Sequence, residues 1–238
     1  MNAPLPCRGV LFDLDGTLVD SAPDLWGAMN HVLAARGRAP LPLDQVRHLV
    51  GNGARTLLAR GFWGEGAEPP SGDDDFEAAV AEFLDYYRVH LVDHSRPYPG
   101  VPETLENLMG RGIALAVVTN KPERFARSML EQLGMAACFV RVVGGDTLPT
   151  RKPDPAPLHH ALESLGVPAG LGVMVGDSVV DLDAARNAGI PVILHARGYN
   201  RGIDVRELRP DRVMERFDQL PDLLSFSASA RMETTCHN

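Results

Sequence analysis

Four short segments carry side chains whose types and spacing could do chemistry together: Asp13–Thr17 (DLDGT), Thr119-Asn120, Lys152 within RKPDP, and Gly176–Asp181 (GDSVVD). Three carboxylates, Asp13, Asp15 and Asp177, repel one another strongly unless a cation sits between them. A donor set made of oxygens suits Mg²⁺, which uses few carboxylates and completes its shell with waters and a substrate phosphate oxygen. Thr119, Asn120 and Lys152 supply hydrogen-bond donors and positive charge for that phosphate. Each residue alone has a plainer use. An aspartate at a strand end is often a helix N-cap, an acid such as Asp181 often forms a salt bridge, and most lysines lie on the surface. The four segments in order are far more specific than any one of them.

Short apolar runs must place these segments. They occur at 8–13, 113–118, 139–143, 171–175 and 192–194, each apolar on both faces, as strands of a buried parallel sheet are. Helical patterns alternate with them at 102–111, 122–133 (capped by Asn120 or Lys121), 155–165 and 179–188, with Pro near the starts and Gly past the ends. The alternation predicts an α/β fold with a doubly wound, Rossmann-like parallel sheet. Ligands bind such a sheet outside the carboxyl ends of its strands. The first, second and fourth runs end at Asp13, Thr119 and Asp177.

About 75 residues separate Asp20 from the next strand, and they read as helices at 43–50, 54–60 and 76–91, preceded by one capped by Ser21. We therefore expect an inserted all-helical cap domain at 20–92, a core at 1–19 and 93–224, and a returning hinge at 96–100. Residues 225–238 read as a flexible tail, and the acids at 73–75 as a solvated loop.

The 238 residues carry a net charge of −8, which argues against nucleic acid and anionic membrane as partners. No apolar run approaches membrane-helix length, and the start lacks a secretory pattern. Three dispersed cysteines give neither a disulfide framework nor a zinc spacing, so a reducing cytoplasm is the expected compartment. Oligomeric state is left open between monomer and homodimer.

DLDGT, TN, the lysine of RKPDP and GDSVVD resemble the four motifs of the haloacid dehalogenase-like superfamily, in order and spacing across residues 8–195. The resemblance implies that Asp13 is a nucleophile forming an aspartyl-phosphate, with Asp15 as general acid and then general base. It implies Mg²⁺ held by Asp13, Asp177 and Asp15, the last through its backbone carbonyl. Asp181 would support Lys152 or a metal-bound water, and Thr17 would pack and polarise the nucleophile loop. The presence of Asp15 favours phosphoryl transfer over dehalogenation.

The cap segment LVGNGAR (49–55), with PYPGV and KPDPAPL, is similar to bacterial phosphoglycolate phosphatases. The implied substrate is a small phosphorylated metabolite, 2-phosphoglycolate. Asn52, Gly53 and Arg55 are then candidate readers of its carboxylate. Related caps serve sugar phosphates, muramic acid phosphate and pyrophosphate. A phosphomutase and a non-catalytic metabolite sensor are the rival functions, the latter weakened by intact Asp13, Asp15, Lys152 and Asp177.

Overall fold

The computed structural model describes residues 3–226. Its centre is a six-stranded parallel sheet. The chain first forms β1 (Leu5–Cys7) and β2 (Gly9–Phe12), then a short β3 (Val19–Asp20). Four helices follow: α1 (Ala22–Ala35), α2 (Leu43–Leu49), α3 (Ala54–Trp63) and α4 (Asp74–Val89). The chain returns through β4 (Arg96–Pro97). It then alternates α5 (Val101–Gly110), β5 (Ala114–Val118), α6 (Glu123–Gln132), β6 (Arg141–Val143), α7 (Ala156–Leu165), β7 (Gly172–Gly176), α8 (Val179–Ala188) and β8 (Val192–His195). Strands β9 (Arg212–Met214) and β10 (Leu224–Phe226) complete it.

The strand order is β6-β5-β2-β7-β8-β9. Every pair in it is parallel. The chain runs outward from β2 to β5 and β6, then jumps back to β7 on the other side of β2. That reversal opens a crevice at the carboxyl ends of the central strands. Register aligns Phe12 with Val175, so Asp13 and Asp177 leave adjacent strands almost level.

Alternation explains why these strands are apolar throughout. Val10, Phe12, Leu115, Val117, Val173 and Val175 pack on one face, while Leu11, Ala116, Val118 and Met174 pack on the other. Both faces are covered by helices, so neither side chain set meets water.

The four helices of the insertion pack their own stripes. Leu25, Met29, Val32 and Leu33 of α1 are buried, as are Phe76, Ala79, Phe83 and Tyr87 of α4. Entry and exit lie side by side: β3 and β4 pair antiparallel, with Asp20 opposite Arg96. This two-stranded ribbon has no apolar run to announce it.

Several expectations need correction. Ser21 stands before α1 but makes no side-chain cap; its hydroxyl donates to Asp15 Oδ1 at 2.5 Å. Helix α6 is preceded by Pro122, not by Asn120 or Lys121. Asp73 is not simply solvated: it caps α4 by accepting from Phe76 N at 2.9 Å. The expected tail begins as strand β10, which pairs with β1; residues 227–238 lie outside the described residues. No described helix is long and apolar enough to cross a membrane.

Candidate active site

The loop after β2 turns sharply, and Gly16 makes the turn possible. Its φ is +87°, and a Cβ there would stand 2.4 Å from Asp177 Oδ2. Only glycine allows both the positive φ and the approach. The loop then delivers Thr17, whose hydroxyl donates to Asp177 Oδ1 at 3.0 Å. Thr17 therefore steadies Asp177 rather than Asp13. Asp177 is held on its other oxygen by Tyr199 N. Tyr199 belongs to a core loop that the four motifs do not include.

Asp13, Asp177 and Asp181 each place a carboxylate oxygen within 4.8 Å of the others. Lys152 stands among them, its Nζ 2.9 Å from Asp13 Oδ1 and 2.7 Å from Asp181 Oδ1. Asp181 is fully engaged, because its second oxygen accepts from Asp177 N, Ser178 N and Ser178 Oγ. It belongs to Lys152 and the start of α8.

The electrostatics of this cluster fit a cation. Burial pushes Asp13 up to about 6, against the lowering pull of Lys152. Burial also raises Asp177 well above its ordinary value, and the charges of Asp181 and Asp13 add to it. Burial opposes the charge on Lys152, but Asp13 and Asp181 outweigh it and hold the ammonium above its usual range. One ammonium thus stands against three buried carboxylates. A divalent cation among oxygen donors would offset the remaining repulsion, and the Asp13–Asp177–Asp181 cluster is spaced to hold one.

Asp15 points elsewhere. Its carboxylate leaves the Asp13–Asp177–Asp181 cluster and meets Lys121 Nζ at 2.9 and 3.2 Å. Lys121 also donates to the hydroxyl of Tyr87, on α4, at 2.7 Å. Burial opposes its charge, yet Asp15 and Tyr87 raise it above the ordinary lysine range. Sequence reasoning assigned Lys121 only to a helix cap. The composition held a signal for it: the chain has two lysines among 23 basic residues, and they are Lys121 and Lys152. Both are buried, while arginine supplies every other basic side chain.

The second strand end supplies Thr119 and Asn120, both buried. Thr119 Oγ1 accepts from Lys121 N at 3.2 Å. Asn120 Nδ2 bridges core and insertion, donating to Lys152 O at 3.0 Å and Gly51 O at 3.1 Å. Gly145 packs beneath it, where a Cβ would lie 2.4 Å from Asn120 O.

A cleft lies between the strand ends and the helical insertion. Asp13, Asp15, Thr119, Asn120 and Lys121 face it from the core, and Leu25, Gly51, Gly53, Leu57, Phe83 and Tyr87 from the insertion. Of the three expected cap readers, Gly53 alone lines the cleft. Asn52 turns its Oδ1 to Arg60 at 3.0 Å and Arg201 at 2.5 Å. Arg55 pairs with Glu77 at the surface and stacks over Phe76. Successive helix residues point about 100° apart, so α3 cannot aim both Ala54 and Arg55 into one cleft.

Comparison with known proteins agrees with this geometry. A family model described as haloacid dehalogenase-like hydrolase matches residues 10–195. A phosphoglycolate phosphatase of Rhodospirillum rubrum is 46% identical over 221 residues, covering 92% of this chain and 91% of that protein. One of Psychrobacter arcticus is 42% identical over 217 residues, covering 90% and 94%. The crystal structure of a predicted phosphoglycolate phosphatase from Haemophilus somnus superposes with a TM-score of 0.85 at 36% identity, covering 91% of this chain and 97% of that one. Because the family match runs from β2 through β8 and so spans Asp13, Thr119, Lys152 and Asp177 together, the chain belongs to the haloacid dehalogenase-like hydrolases.

Proposed function

We propose that this chain is a Mg²⁺-dependent phosphomonoesterase of the cytoplasm that hydrolyses 2-phosphoglycolate to glycolate and phosphate. The observation that carries the reading is the position of Lys152, paired with both Asp13 and Asp181 in the acid cluster that Asp177 completes, beneath a cleft that Asp13 itself lines. The relatives named phosphoglycolate phosphatase support the choice of substrate.

In this reading residues 1–19 and 93–224 form the catalytic core and residues 20–92 the cap. Thr119, Lys152 and the backbone N–H of Asn120 hold the phosphate oxygens, since the Asn120 amide is spent on Lys152 O and Gly51 O. An oxygen of Asp13 attacks phosphorus as the bond to the glycolate oxygen breaks, and Asp15 gives that oxygen a proton. Asp15 then takes a proton from water, which attacks the aspartyl-phosphate, releases phosphate and restores Asp13. Asp13 and Asp177, with the backbone carbonyl of Asp15, would hold Mg²⁺. When bound, the ion supplies charge neutralisation for the phosphate oxygens. Thr17 and Tyr199 keep Asp177 in place, and Asp181 keeps Lys152 in place. The apolar cap wall excludes water from the cleft.

A phosphate-release screen over 2-phosphoglycolate, hexose phosphates, muramic acid phosphate and pyrophosphate tests the substrate. Highest kcat/KM on 2-phosphoglycolate is expected, with activity lost in EDTA and restored by Mg²⁺. Faster release from any of the others overturns the substrate assignment. Isomerised product in place of free phosphate overturns hydrolysis in favour of a phosphomutase.

A further inference from the structure

We propose that Lys121 is the residue that reads the substrate's carboxylate. The proposal rests on the phosphoglycolate reading and deepens it. A substrate with a phosphate at one end and a carboxylate at the other needs a second positive site close to the first. Arg55 does not provide it, because it is turned to Glu77 at the surface. Among the described residues that line the cleft, Lys121 is the one cationic side chain.

Its surroundings suit the task. Lys121 is buried, so an ion pair formed on it is weakly screened. Its ammonium carries three donors. Tyr87 OH takes one at 2.7 Å, and the Asp15 carboxylate, at 2.9 and 3.2 Å, is reached by one shared donor or two. A substrate oxygen can therefore join the ammonium or replace one Asp15 contact. The remaining cleft wall contributed by the cap is largely apolar, with Leu25, Leu57 and Phe83, and offers no rival cation.

The position also fits the covalent skeleton of the substrate. In 2-phosphoglycolate a single methylene links the ester oxygen to the carboxylate. Asp15 is the proton donor to that ester oxygen, and Lys121 touches Asp15 directly. A carboxylate drawn to Lys121 therefore brings the ester oxygen against Asp15. Recognition and alignment are the same contact. Tyr87 comes from α4, so the reader is complete only when the cap is seated on the core.

Two measurements test this. In the first, kcat/KM is determined for 2-phosphoglycolate and for ethyl phosphate, which lacks the carboxylate, with the unaltered chain and with Lys121→Met and Lys121→Gln. Both variants slow both substrates, since Asp15 loses a partner. The selectivity for 2-phosphoglycolate over ethyl phosphate is expected to fall by a further factor of about 30. Unchanged selectivity in the variants overturns the role of Lys121 and leaves the substrate reading standing. An unaltered chain with no preference for the carboxylate-bearing ester overturns both.

The second measurement needs no folded variant. Lysine-labelled protein gives two side-chain ammonium signals by ¹⁵N NMR, because the chain has two lysines. Inorganic phosphate should move the Lys152 signal, and glycolate the other. A Lys121 signal that stays in place at saturating glycolate overturns the proposal.

Discussion

Lys152 and Asp181 form a 2.7 Å ion pair in which neither side chain is more than 2% exposed. The same carboxylate holds the first turn of α8 through Ser178. Replacing one member leaves the other buried without its full complement, which typically costs several kcal/mol. Asp181→Asn should lower the unfolding free energy by about 3 kcal/mol in urea titrations. It should also lower kcat, because Lys152 is no longer steered between the two acids. A variant of unchanged stability would show that Asp13 alone anchors the lysine.

Asp13→Asn should abolish turnover and keep the fold. The buried Asp13 carboxyl is raised to about 6 while an unfolded one stands near 3.8. Without metal, the folded state holds this proton more tightly, so stability falls as pH rises from 4 through 6. The amide removes that dependence. Thermal melts in EDTA should therefore show the variant losing more stability than the unaltered chain on going from pH 7 to 4.5.

Arg55→Ala should change KM for 2-phosphoglycolate by no more than about twofold, since exposed ion pairs contribute little. The guanidinium sits on Glu77 and over Phe76, outside the cleft. A large rise in KM confined to carboxylate-bearing substrates would show that Arg55 swings inward when substrate binds.

Gly198→Ala should impair both stability and turnover. A Cβ there would meet Asp177 Cβ at 2.2 Å and Gly16 O at 2.5 Å, so this loop and Asp177 cannot both keep their places. Overpacking of this kind costs about 1–3 kcal/mol. Normal activity would mean that the loop carrying Tyr199 relaxes without disturbing Asp177.

His195 gives a pH test on a group other than the clustered acids, although its ring meets the backbone of Gly16. It ends β8, buried between Tyr98 and Phe217, and burial lowers its pKa below 6.5. The unfolded chain therefore binds the proton first as pH falls. Stability from the neutral ring is present above 6.5 and declines below it. His195→Phe should lose less stability than the unaltered chain between pH 7.5 and 5.5 in denaturant titrations.

The central strands were legible because each is buried on both faces, which leaves an apolar run with no polar interruption. Strands β1, β9 and β10 were not. Each has three residues of mixed character; β1 contains Pro6, and β10 falls where composition reads as a tail. The four motifs placed Asp13, Thr119, Asn120, Lys152, Asp177 and Asp181 together, because strand ends in a parallel sheet converge. What spacing could not show was direction. Asp13 and Asp15 are two residues apart, yet their carboxylates face different cations, Lys152 and Lys121. Gly53 and Arg55 are two apart as well, and the turn of α3 separates cleft from solvent between them.

The ribbon of β3 and β4 brings the two ends of the insertion together at one place, Asp20 opposite Arg96. A chain that leaves and rejoins its parent fold through neighbouring strands asks little of it: the sheet register is the same whatever length lies between, and added length raises closure entropy only slowly. Selection can therefore remodel the insertion to admit a longer or bulkier ester while the strands bearing Asp13 and Asp177 keep their places. The two parts are not independent, however: Tyr87 of α4 meets Lys121 of the sheet side at 2.7 Å, so a remodelled insertion must keep that contact or change the setting of Lys121 with it.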